Sequence, residues 1–217
     1  MTEKRFSQAD LEQLPSRYRA HLCNTLPGFK SLNLIGTQNA EGVNNLGIFT
    51  QVFHVGSNPS LIGILFRPHT VRRDTLENIL EHKHFTLNHV HESFYQKAHQ
   101  TAAKYEANES EFEGVGLTPE FTPDIKAPYV KESQVKIGLE LADRVDIAIN
   151  NTVLIIGRTL EVRVPEEHIK EDGYLDLAAI GSITCTDVDA YHSVNKLARM
   201  AYAKPDTDPT ELPENLF

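Results

Sequence analysis

The chain has no tryptophan and only two cysteines among its 217 residues, and each shortage narrows what it can be. Cys23 and Cys185 form neither a Cys-x-x-Cys pair nor a zinc-ligand spacing, which excludes a disulfide scaffold and a thiolate-built metal site. Long apolar runs are missing too: Leu61 to Phe66 is among the longest, far short of the roughly 20 residues that span a bilayer. The first residues, Met1 to Arg5, lead into polar sequence without the apolar centre of a secretory signal, so the expected setting is the reducing cytoplasm. Basic residues are in deficit, 21 Lys and Arg against 30 Asp and Glu, for a net charge of −9. That balance argues against sequence-independent binding of nucleic acid or anionic membranes.

Several familiar catalytic signatures are also absent. No Gly-x-x-x-x-Gly-Lys-Ser/Thr loop occurs, and no Gly-x-Ser-x-Gly elbow. Gly114-Val115-Gly116 opens like a dinucleotide fingerprint, but Pro119 replaces its third glycine and no strand precedes it. His91-Glu92 begins like a zinc-protease helix, yet Tyr95 stands where the second His belongs. His82, His84, His89 and His91 cannot converge from one strand, because His84 points away from His89 and His91. No metal site is expected among them. An enzyme with this sequence needs a cofactor to carry its reaction.

What is present is a mainly β pattern with peripheral helices. Ser7 is a helix N-cap before Leu11 and Leu14, and Ser16 starts a second helix that Pro27-Gly28 ends. Extended runs follow at Ser31 to Thr37, Gly47 to Val55 and Leu61 to Phe66, with short turns between them, so the sheet is antiparallel. A helix over Thr75 to Glu81 capped by Asp74, a strand over Phe85 to Val90, a helix from Ser93 to Tyr105 and an acidic loop from Asn108 to Asp124 come next. Val135 to Ile149 and Thr152 to Val164, joined at Asn150-Asn151, read as a long hairpin closing a barrel. The expected division is a helical segment over 1–30, a barrel domain over 31–203 and an acidic, mobile tail over 204–217.

Two segments carry chemistry. Arg67 to Thr75 gathers three guanidiniums and two hydroxyls immediately before a helix start. Arg forks beside the N–H groups of a helix N-terminus make a phosphate site, and a well-capped basic turn in solvent uses the same residues. Asp74 belongs to the cap in either case, since its charge repels a phosphate. The second segment is Asn44 to Thr50, where Asn45 and Thr50 can bond a polar ring edge, Gly47 allows close approach to the backbone and Phe49 offers an apolar wall. An ordinary strand would also suit it.

The order of these segments resembles the flavin reductase-like family, whose members bind FMN in a split β-barrel with Greek-key-like antiparallel strands. The resemblance is carried by Asn45, Gly47-Ile48-Phe49-Thr50, Asn58-Pro59, Arg73-Asp74-Thr75-Leu76-Glu77-Asn78-Ile79 and Phe85-Thr86-Leu87-Asn88. Ser110-Glu111-Phe112-Glu113 with Gly116-Leu117-Thr118, Ala127-Pro128 with Lys131-Glu132-Ser133, and Thr152 to Gly157 continue it. It implies that Arg67, Arg73, Asp74 and Thr75 lie at the FMN phosphate, that Asn45, Leu46, Gly47, Ile48, Phe49 and Thr50 line the ring, and that Asn88 lies nearby. His99 reaches the ring or ribityl chain, or else is a surface histidine. The implied activity is hydride transfer from NADH or NADPH to FMN, in a homodimer whose neighbour completes the site through the N-terminal helices or the Asn108 to Asp124 loop. The alternatives are an FMN-binding electron carrier or store without nicotinamide turnover, and a flavin-free binding module.

Overall fold

The computed structural model describes residues 1–68, 73–106 and 108–216. At the N-terminus lie α1 (Gln8–Gln13) and α2 (Ser16–Thr25). The Ser7 and Asp10 side chains cap α1 reciprocally, as the sequence led us to expect. Five strands follow: β1 (Lys30–Ser31), β2 (Asn33–Gln38), β3 (Asn44–Phe49), β4 (Val52–Ser57) and β5 (Ser60–Phe66). After α3 (Asp74–His82) and β6 (His84–His89) come α4 (Tyr95–Gln100), α5 (Glu111–Val115), β7 (Pro119–Glu120) and β8 (Tyr129–Val130). The long hairpin is β9 (Lys136–Ile147) and β10 (Thr152–Arg163), followed by α6 (Leu177–Ile180), β11 (Thr184–Thr186) and β12 (Ala190–His192).

The main sheet is antiparallel with strand order β3-β2-β6-β9-β10-β5-β4. Its two edge strands, β3 and β4, are separated in sequence only by Thr50 and Gln51. So short a link forces the sheet to roll until its edges meet, giving a barrel unzipped between β3 and β4. At that seam the Leu65 N–H donates to the Gln51 carbonyl at 2.9 Å, and Ser31 Oγ donates to the Val52 carbonyl at 2.8 Å. The single extended run read over Gly47 to Val55 is therefore two strands that turn a corner.

Two apolar clusters sandwich β2 and β3. One fills the barrel: Ile35, Ile64, Phe66, Phe85, Leu87 and Ile155, plugged by Leu76 and Ile79 of α3. The other lies outside, where Leu34 and Leu46 meet Phe94 and Ala98 near α4 and Phe112 of α5. Burial from both sides explains why Asn33 to Thr37 shows no polar-apolar alternation. Each large apolar side chain so enclosed contributes about 1.5–3 kcal/mol.

Three expectations are corrected. The helix read from Ser93 to Tyr105 ends at Gln100, where the chain turns and Thr101 Oγ donates to the Ala98 carbonyl. The acidic loop from Asn108 to Asp124 contains α5, because Phe112 and Val115 bury one helical face. Arg73, not Asp74, occupies the N-cap position of α3, and its side chain makes no capping hydrogen bond.

The C-terminal part folds back on the start of the barrel, with β11 pairing between β1 and β12. Beyond it, Lys196 pairs with Asp176 and Arg199 with Asp172. Within the segment expected to be a mobile tail, Asn215 donates to Glu171 at 3.1 Å. Among the described residues, no helix is long and apolar enough to cross a membrane.

Candidate functional site

Among the described residues, strand β3 pairs in the sheet only with β2, so no strand covers its other edge. Leu46 donates its N–H away from β2, to the Glu111 carboxylate at 2.9 Å. Because strand backbone groups alternate, the N–H and C=O of Ile48 point the same way, off the free edge. A half-buried strip of main-chain donor and acceptor results. Sequence reasoning assigned Glu111 no role, although it quoted the residue within a motif. Burial raises the Glu111 carboxyl above the ordinary carboxylate range, the Leu46 N–H partly opposes this, and Asp74 adds repulsion.

Side chains of β3 alternate between two faces. Asn45, Gly47 and Phe49 face α3. Asn45 Nδ2 donates to Thr75 Oγ at 3.0 Å and to Thr37 Oγ at 3.1 Å, and Asn78 Nδ2 donates to the same Thr37 oxygen at 3.1 Å. Thr37 was not singled out from the sequence, since a threonine inside a buried strand carries no local mark. A Cβ at Gly47 would lie 3.2 Å from Thr75 Oγ and 3.0 Å from Phe49 Cε2. The glycine thus admits α3 and the Phe49 ring rather than opening space for a ligand over its own face. Phe49 itself packs edge-on against Phe66, centroids 5.0 Å apart, so it belongs to the barrel wall. Thr50 is half-buried in the bend after β3.

The arginine corner adjoins this network through Thr75. Arg73 reaches the Pro68 carbonyl with Nε at 3.4 Å and Nη2 at 3.3 Å. Burial, and then repulsion from Arg67, hold its guanidinium below the usual arginine range. Arg73 thus lies at the start of α3, close enough to the exposed Arg67 for the two charges to repel. The third guanidinium of the motif, Arg72, and the Thr70 hydroxyl lie outside the described residues. On another side of the same helix start, Asp74, Glu106, Glu109 and Glu111 border a small acidic cleft. An anion at the helix start must therefore sit toward Arg67 and Arg73.

Asn88 and His99 are placed elsewhere. Asn88 pairs in register with Leu34, on the opposite face of the sheet from Asn45, and is fully used there: Nδ2 donates to the Leu34 carbonyl and Thr86 Oγ, and Oδ1 accepts from the Val130 N–H. It fastens the chain around residue 130 to the barrel. His99 lies on α4, beside the outer cluster that includes Leu46, with Ile48 and Tyr191 packed against it. Its Nδ1 is bonded to the Tyr191 hydroxyl, whose proton burial holds up to about 12. Of the histidines read as a possible metal set, His84 accepts from the Lys126 N–H, His91 accepts from the Ser93 N–H, half-buried His89 lies beside Ser182 with burial lowering it to about 4, and His82 Nε2 lies 3.8 Å from Glu81 with no hydrogen bond among the described residues.

A family model described as the flavin reductase like domain matches residues 30–178. The chain belongs to the flavin reductase-like family. It is thereby a flavin-related oxidoreductase, and its rolled seven-stranded sheet is the split barrel. A candidate flavin reductase with a split barrel domain from Shewanella frigidimarina NCIMB 400 has a crystal structure 45% identical to this chain. The match covers 93% of this chain and 100% of that one, with a TM-score of 0.89. Nitrilotriacetate monooxygenase component B from Bacillus cereus, 23% identical over 90% of this chain and 98% of that one, shares the fold with a TM-score of 0.79. An uncharacterized protein of Aquifex aeolicus (strain VF5) is 28% identical over 145 residues, 66% of this chain and 73% of the relative.

The donors present suit a flavin nucleotide. Arg67, Arg73 and the N–H groups at the start of α3 offer positive partners for a phosphate. Thr75 Oγ accepts from Asn45, which leaves its own proton to donate outward. The outward N–H and C=O of Ile48 match the alternating acceptors and donors of an isoalloxazine edge. Leu46, fully buried by its side chain, can contribute only its main chain.

Proposed function

We propose that the protein is an FMN-dependent oxidoreductase that takes reducing equivalents from NADH or NADPH. The observation that supports this most is Arg73 at the start of α3, held to the Pro68 carbonyl near Arg67, on a helix whose Thr75 is bonded to Asn45 of β3. Bound FMN supplies the redox chemistry, accepting hydride on its ring, so no acid–base pair is required of the protein. Arg67 and Arg73 hold the phosphate, and Thr75 donates its hydroxyl proton to it. Asn45 fixes that hydroxyl's direction. Within the Gly47 to Thr50 strip, the outward N–H and C=O of Ile48 would face the ring, with Ile48 also its nearest apolar side chain. Glu111 stiffens the strip by holding the Leu46 N–H. His99 and Tyr191 lie on the Ile48 side of β3, where they border the approach of the nicotinamide.

A homodimer suits this arrangement, since the edge strip is open on the side away from β2 and a second chain would cover it. A cytoplasmic setting accords with Cys23 and Cys185 both being free thiols.

The test is a visible spectrum of the purified protein with FMN, followed by anaerobic NADH and then NADPH. The expected result is a yellow complex whose absorbance bleaches within seconds with at least one nicotinamide. A stable yellow complex untouched by either would make the protein a carrier or store. Arg73→Ala should weaken FMN binding by roughly 1.5–3 kcal/mol, about 10- to 150-fold, the worth of a charge-assisted contact. Unchanged affinity would remove Arg73 from the phosphate site.

A further inference from the structure

The turn between β11 and β12 carries a carboxylate that the flavin site does not use. Asp187 sits there with φ +55°, and its side chain is 8% exposed. One of its oxygens is bonded to His21 Nδ1 on α2, across 166 positions of sequence. The other, Oδ1, is buried and meets no hydrogen-bond donor among the described residues. Buried carboxylate oxygens are almost always satisfied, because water or a cation in their place is worth more than a void. Asp189, on the same turn, brings a second carboxylate. One ligand atom from each of His21, Asp187 and Asp189 lies within 4.8 Å of the others.

We propose that these three residues bind a divalent transition-metal cation, with zinc as the best match to the donors. One imidazole nitrogen and two carboxylates, leaving a fourth position to water, are a borderline N/O set suited to tetrahedral zinc. Ligand atoms around such a centre stand roughly 3.3–3.5 Å apart given bonds of about 2.0–2.2 Å. The present cluster, its ligand atoms within 4.8 Å of one another, reaches that spacing if His21, whose side chain is 44% exposed, withdraws slightly from Asp187 and the exposed Asp189 side chain closes in. Binding replaces the direct His21 Nδ1 contact with Asp187 Oδ2 by bonds to the metal, and coordination through both carboxylate oxygens brings Oδ1 a partner.

The neighbouring charges are compatible with a cation. Lys30 donates to the main-chain carbonyls of Asn24 at 3.0 Å and Asp187 at 2.7 Å. It clamps the end of α2 to the turn, and its single positive charge is outweighed by the two carboxylates. Cys185 Sγ is turned to the Thr186 and Asp187 carbonyls and stands outside the ligand set. The metal would staple α2 to the C-terminal hairpin at a point formed by residues far apart in sequence.

The experiment is calorimetric titration of ZnCl2 into the EDTA-treated full chain, with thermal unfolding measured in parallel. The expected result is one strong zinc site per chain and a rise in Tm on loading. Asp189→Asn, at an exposed position, should weaken that site at least tenfold and abolish the rise while leaving the metal-free Tm close to that of the parent; His21→Gln, at a half-buried position, should weaken the site as much and also lower the metal-free Tm, since it alters the partner of the buried Asp187 carboxylate. Asp187→Asn should do the same where it folds. The proposal is overturned if the parent shows no stoichiometric zinc heat, or if His21→Gln and Asp189→Asn titrate like the parent. In that event His21 and Asp187 are a hydrogen-bonded pair and nothing more.

Discussion

Asn45 and Asn88 lie on the two strands flanking β2, and each is tied to a threonine, yet they belong to opposite kinds of region. Around Asn88 every group is spent: its amide donates to Leu34 and Thr86, its oxygen accepts from Val130, and Thr86 donates onward to the Pro128 carbonyl at 2.6 Å. Both Asn88 and Thr86 are fully enclosed. Around Asn45 the network is unfinished. Thr37 accepts twice, Thr75 accepts once, and the chain of bonds ends at the arginine corner with a hydroxyl proton still to give. A closed polar network fixes a fold, whereas an open one is prepared to receive a ligand.

The strongest way to break this contrast is Asn88→Ala. It strands the Val130 N–H in a dry interior, and should cost up to about 3 kcal/mol of stability in urea unfolding. FMN affinity of the folded fraction should stay within about twofold of the parent, because nothing at the β3 edge moves. A large loss of affinity at unchanged stability would reverse the assignment of the two asparagines.

Glycines sharpen the comparison at the next level. A Cβ at Gly36 would fall 2.1 Å from the Pro128 carbonyl oxygen and 2.6 Å from Thr86 Oγ. The main chain there cannot yield, so Gly36→Ala should destabilise by about 2–3 kcal/mol. At Gly47 the obstacles are a half-buried Phe49 ring at 3.0 Å and the Thr75 hydroxyl at 3.2 Å, both able to shift. Gly47→Ala should therefore cost under about 1 kcal/mol of stability, with its main effect on FMN titration through displacement of Thr75. Equal stability losses in the two variants would show that the β3 region is as rigid as the clamp.

Much of this was legible in the sequence, and the failures have physical causes. The hairpin of β9 and β10, the Ser7 cap and the order of the motifs could be read locally, because periodicity and caps act within a few residues. The seam at Thr50 and Gln51 could not, since a strand that bends around a barrel corner keeps the same β-rich composition. Asn88 was grouped with Asn45 because both are asparagines at motif positions. Which face each occupies depends on the register of β6 against β2, which sequence alone does not specify. Glu111 and Thr37 were passed over for a related reason: one acts on a main-chain N–H 65 positions away, the other from inside a buried strand. The His21, Asp187 and Asp189 cluster draws on both ends of the chain and had no spacing to betray it.

The smallest effect tests whether the open network aims the hydroxyl or merely packs. Asn45→Ala removes a donor from Thr37 and Thr75 in a half-buried setting, where a neutral hydrogen bond is worth about 1 kcal/mol. Released from Asn45, the Thr75 hydroxyl can turn its proton inward to Thr37, and the phosphate then loses a donor already directed toward it. FMN affinity should fall about fivefold by fluorescence titration, close to 1 kcal/mol. Thr75→Val should fall by a similar amount, and the double variant by little more than either, because both changes disable the same donor. Additive losses would mean that Asn45 acts on the ligand by some route other than Thr75, and the open network would then be two independent contacts.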